Sequence, residues 1–143
     1  MPDLERFVTA QDARGTYGSA VGELRAGRKT SHWMWFVFPQ IAGLGRTEMS
    51  RRYAISSLEE ARAYLAHPIL GARLRECARI LIELNGGTAV GVFGPVDAMK
   101  LRSSMTLFAH AAPEEPLFRG VLDRYFGGVA DDATEALLSG PTR

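Results

Sequence analysis

Leu70, Leu74, Cys77, Leu81 and Leu84 recur at three- and four-residue steps, the spacing of one buried stripe along a helix. Asn85-Gly86-Gly87 ends that stripe. Upstream, Ser57-Leu58-Glu59-Glu60 has a cap residue followed three positions on by Glu, which predicts a capped helix carrying Leu58, Ala61 and Leu65 and stopping before Pro68. Pro68 suits the first turn of the helix that follows. Downstream, Thr88–Phe93 predicts one short helical turn. Pro95 to about Ala112 predicts a long helix with Leu101, Met105, Phe108 and Ala112 inward. Pro116–Phe126 predicts another, using Leu117, Val121, Leu122, Tyr125 and Phe126 and stopping at Gly127-Gly128. Asp131 or Asp132 caps a short last helix ending near Leu138.

The N-terminal third follows the same period. Asp3 is expected to cap a helix bearing Leu4, Phe7 and Val8, with Gly15 breaking it. Thr16 to about Ala26 predicts a second, with Ala20, Val21 and Leu24 inward and Gly27 closing it. Thr47 caps a short helix through Tyr53 and Ile55. Between these lies Ser31–Gln40, SHWMWFVFPQ, which holds both tryptophans and is almost continuously apolar. Periodicity does not separate a buried strand from a buried helical turn there. Its neighbours are helical and no second strand is available to pair with it, so a short buried helix or extended segment stopped at Pro39 is expected. The sum is an all-α fold: a single compact domain of seven or eight helices around Ser31–Gln40. It spans residues 1–143, with about 139–143 as a frayed tail.

Composition narrows the function. The chain has 143 residues, 46% hydrophobic and 23% charged, with a net charge of +1. That is enough apolar material for one core, and the charge balance argues against a nucleic-acid binder. The single cysteine, Cys77, excludes an intramolecular disulfide. It falls in an apolar stripe, which predicts an inert core thiol. The start MPDLERFV lacks the pattern of a signal peptide, and no apolar run approaches the length of a membrane span. A cytoplasmic monomer with no membrane partner is the expectation.

No phosphate loop, dinucleotide fingerprint or zinc motif is present in the sequence. The histidines His32, His67 and His110 lie far apart. No metal and no cofactor are expected. Two features carry candidate chemistry. From Arg25 to Arg52 there are six basic residues and one acid, so the aromatic stretch is bracketed by positive charge. Ring faces beside arginines suit a flat anionic ligand. The second feature is Lys100-Leu101-Arg102-Ser103-Ser104. At about 100° per residue, Ser104 falls inside the apolar arc of its helix and Lys100 at the arc's edge. Ser104 either bonds back to its own helix or points, with Lys100, into a polar pocket.

Several stretches together resemble one family of small bacterial proteins. They are DLERFVTAQD (Asp3–Asp12), GRKTSHWMWFVFPQIAGLGRT (Gly27–Thr47), RRYAISSLEEARAYLAHPILGARLRE (Arg51–Glu76), KLRSSMTLF (Lys100–Phe108) and LDRYFGG (Leu122–Gly128). The family is domain-of-unknown-function family 1810, often labelled "calpastatin". The resemblance implies an all-helical single domain and supplies no activity, cofactor or catalytic residue. The label itself does not suit the chain. A calpain inhibitor of that kind is a disordered, polar, repeat-bearing chain, and this one is rich in apolar stripes and free of repeats.

The functional expectation is binding, with or without turnover, of a small anionic, nucleotide-like metabolite. Its site would use Trp33, Trp35, Gln40, Arg51, Lys100, Arg102, Ser103 and Ser104, with His32 as candidate acid or base. The alternative is a protein-interaction module that presents the tryptophan-rich stretch as an exposed hot spot. A third reading is a purely structural core.

Overall fold

The computed structural model describes residues 3–139. It is all-α, with no strand among the described residues. The helices are α1 (Glu5–Asp12), α2 (Thr16–Arg25), α3 (Glu48–Arg52), α4 (Leu58–Ala66), α5 (Leu70–Glu83), α6 (Ala89–Ala111), α7 (Pro116–Phe126) and α8 (Asp132–Leu138). Between α2 and α3, Met34–Val37 makes a single helical turn. The last four residues of the expected frayed tail lie outside the described residues.

The local signals act where the sequence places them. Thr47, Ser57 and Asp131 each accept a backbone N–H three residues on, through their side chains. On α5, Leu70, Leu74, Cys77 and Leu81 are buried, and Leu84, the first residue past its end, is half-buried. Burial pushes the Cys77 thiol up to about 12, the Tyr17 hydroxyl pulling less strongly the other way. It is an unreactive core thiol.

The α6 helix joins two expected pieces. Thr88 caps the first through Gly91 N–H, and Gly94 at φ 81° and ψ 164° breaks the helical path before Pro95 begins the second. Every residue from Ser103 to Ala109 is buried, so the C-terminal half of α6 runs through the middle of the domain. It packs most extensively against α7, and α4 covers another side.

Three local details depart from expectation. The first residue outside α1 is Leu4, and no side chain caps that helix. Instead Asp3 is exposed, and its carbonyl accepts from the Arg6 guanidinium. The α3 helix ends at Arg52, short of Ile55. The Ile55 N–H donates to the Gln40 carbonyl at 2.8 Å and its carbonyl accepts from Ala42 at 2.8 Å, so Ile41 and Ile55 form an isolated parallel bridge. A residue whose amide is used across the chain is not available to the helix. Finally, α5 starts at Leu70, after Pro68. His67 supplies the acceptor there, its Nδ1 taking the N–H groups of Ile69 and Leu70 at 3.2 and 3.3 Å.

Candidate functional site

The two tryptophans, two residues apart, have different fates. Trp33 is fully buried, with its ring 6.2 Å from Phe38 and 6.4 Å from Phe93, centre to centre. Its indole N–H donates to Glu23 at 2.9 Å. The same carboxylate accepts the N–H groups of Thr30 and Ser31 at 2.8 and 3.0 Å and the Ser31 hydroxyl at 2.5 Å. Glu23, on α2, therefore ties down the approach to the aromatic stretch. Partial burial alone would raise its pKa. The four hydrogen bonds together outweigh that and lower it to about 2.

A depressed carboxylate adds stability above its ordinary value of 4.5, and this is lost as pH falls from there through about 2. Glu23→Gln should remove this limb of the acid-unfolding curve. It keeps one carbonyl oxygen for the backbone donors. Glu23→Ala removes both oxygens and should lower stability at neutral pH by about 2–4 kcal/mol, more than Gln does. Equal effects of the two variants in denaturant melts would contradict the role assigned to the acceptor oxygens.

Trp35 is half-buried, and its exposed side faces a cleft. The cleft is a cavity of about 120 Å³ between the Gln40–Gly45 loop, α3 and α6. Its polar lining is Gln40, Ser50, Tyr53 and Lys100, against Trp35, Ile41 and Leu44. The Ile41–Ile55 bridge holds its loop against the end of α3. Arg6 secures the same end, donating to the carbonyls of Arg52 and Ala54, each at 2.7 Å.

The cation in the cleft is positioned from both sides. The Lys100 ammonium lies 3.8 Å from the centre of the Trp35 ring, an attraction between cation and ring face. It also bonds to Asp97 at 3.1 Å. The other oxygen of Asp97 pairs with Lys29 at 2.8 Å, and Lys29 in turn lies 5.1 Å from the Trp33 ring centre. One aspartate thus joins two lysines, each resting on one tryptophan, and one positive charge is left over. Burial would raise the Asp97 pKa, but the bonds and charges of Lys29 and Lys100 outweigh it and lower it.

Of the residues the sequence singles out, Trp35, Gln40 and Lys100 meet in this cleft. The others do not line it. Trp33 and Ser104 are fully buried, and the Ser104 hydroxyl has no hydrogen-bond partner among the described residues. Ser103 is buried and donates to the Met99 carbonyl at 3.1 Å. Arg102 faces a different groove, over Phe126. Arg51 and His32 are exposed, Arg51 next in sequence to the lining residue Ser50. Sequence reasoning missed Asp97, Ser50 and Tyr53, and it held Lys29 only as one of the six basic residues flanking the aromatic stretch. Asp97 carried a signal: it stands three residues before Lys100, on the same helix face.

Fold and cleft define a small all-helical protein with a lysine held over a tryptophan at the wall of a small cavity of mixed polar and apolar lining. The chain belongs to the family described as Protein of unknown function (DUF1810), which matches residues 1–138. Among solved structures it is similar to the crystal structure of the conserved hypothetical protein Rv1873 from Mycobacterium tuberculosis at 1.38 Å. The two are 52% identical with a TM-score of 0.93, over 97% of this chain and 98% of that one. Among curated proteins nothing matches. Among the described residues, no helix is long and apolar enough to cross a membrane.

Proposed function

We propose that the protein binds a small anionic ligand in the Trp35–Lys100 cleft. One observation carries this reading: Lys100 is held at the cavity wall by Asp97 and Trp35, with a positive charge in excess. A preset cation is what recognition of a carboxylate or phosphate requires. Gln40 and Ser50 add neutral hydrogen-bonding groups beside it.

Size limits the ligand. A cavity of about 120 Å³ is well below the usual few hundred Å³ of a small-molecule pocket. It accommodates the anionic end of a nucleotide-like metabolite, and the remainder would lie outside, near the exposed Arg46 and Arg51. The interaction-module reading has less support. Trp33 is inaccessible and Trp35 sits beneath an ammonium, so no exposed tryptophan patch presents itself to a partner.

The test is a tryptophan fluorescence titration with inorganic phosphate, sugar phosphates, nucleotides and carboxylates. A saturable change that weakens with added salt is expected, and Trp35→Phe should abolish the signal. Lys100→Ala should weaken binding by about 1–3 kcal/mol, the cost of a charge-assisted contact. The fold should survive, since Asp97 keeps Lys29. No saturable change with any of these anions, or binding indifferent to Lys100→Ala, would overturn the reading.

A further inference from the structure

Gly94 gives α6 a concave side. Its φ of 81° and ψ of 164° lie in a region open essentially to glycine alone. The turn Ala89–Phe93 therefore leaves the axis of the helix that begins at Pro95. On the inner side is a groove of about 310 Å³, closed by the end of α7. Its walls are apolar: Val90, Pro95, Ala98 and Met99 from α6, Tyr125 and Phe126 from α7. Val90 and Met99 are 56% and 68% exposed, so apolar surface stands open to water here.

Arg102 lines this groove, 4.9 Å from the centre of the Phe126 ring. The other half-buried arginines that reach across the fold, Arg6, Arg73 and Arg75, each pair with a carboxylate. Among the described residues Arg102 has no carboxylate within 4.0 Å, and its Nε is buried without an acceptor. A guanidinium is the side chain best shaped to take a carboxylate. Aliphatic and aromatic walls next to it suit an apolar body. The volume is at the small end for a ligand pocket.

We propose that this groove is a second binding site, for a small monocarboxylate with an aryl or short alkyl body, its carboxylate resting on Arg102. The site does not depend on the Trp35–Lys100 cleft. Lys100 and Arg102 are two residues apart, about 200° around the helix.

The probe is benzoate, with benzamide as its neutral counterpart, followed through the amide NMR spectrum of the full chain. Benzoate should give saturable shifts at Val90, Ala98 and Phe126, and benzamide should bind about tenfold or more weakly. Arg102→Met keeps an unbranched stem over Phe126 without the charge and should weaken benzoate binding by a similar factor. Val90→Glu changes an exposed position and so keeps the fold. It places a competing carboxylate in the groove and should weaken benzoate binding too, which decides the matter even if Arg102→Met folds poorly. Lys100→Ala should bind benzoate here as the wild type does. Absence of saturable shifts, equal binding of benzoate and benzamide, or unchanged affinity in folded Arg102→Met and Val90→Glu would overturn the proposal.

Discussion

Trp33→Ala is expected to lower folding stability by about 3–5 kcal/mol, the range for removing a large buried aromatic. Trp33 is among the largest fully buried side chains of the domain. Its removal opens a cavity against Phe38 and Phe93. It also leaves Lys29 without the ring it rests on and Glu23 without one of its donors. Trp33→Phe keeps most of the volume and should cost less. Equilibrium denaturation checks both, with Trp35 as the remaining fluorophore in each variant. A loss below about 1 kcal/mol for Trp33→Ala would mean that the surrounding aromatics collapse freely into the space.

Gly71→Ala should be comparably damaging, about 3 kcal/mol or more, although it replaces a poor helix former by the best one. Propensity alone favours alanine by about 1 kcal/mol. Packing opposes it. A Cβ on Gly71 would stand 2.1 Å from the Leu65 carbonyl oxygen and 2.8 Å from Arg75 Nη1. The arginine tip has room to shift, at the expense of its bonds to Leu65 and Glu115. The Leu65 carbonyl is backbone on α4 and does not, so α4 and α5 must separate, and overpacking of this kind outweighs the propensity gain. Gly18→Ala and Gly22→Ala on α2 are the controls. Nothing lies within 4 Å of a Cβ at either position, so each should raise stability by about 0.5–1 kcal/mol. Thermal melts of the three variants separate the two effects. A stabilised Gly71→Ala would refute the close approach.

The candidate site was legible in part. Trp35, Gln40 and Lys100 follow from an aromatic run flanked by charge and from a lysine at the edge of an apolar helix face. Arg102 stands two residues after Lys100, and the helical angle that places Ser104 inside places Arg102 on the far side. Asp97, one helical turn before Lys100, is its partner, and the spacing of the two is visible in the sequence.

What the sequence determines by itself is what is decided within a turn or two of chain. The caps at Thr47, Ser57, Thr88 and Asp131, the stripe of α5 and the stop at Gly127 are of this kind. In each, the interacting groups lie within a few residues of one another, at a spacing set by helix geometry. The tertiary structure decided the rest. In a run where nearly every position is apolar, nothing local says which tryptophan turns inward, and Glu23 settles it by accepting the Trp33 N–H. The Lys29–Asp97–Lys100 group and the Ile41–Ile55 bridge join residues from separate elements. Such contacts form only once burial has brought those elements together, because an exposed ion pair or a lone bridge is worth too little to order the chain unaided.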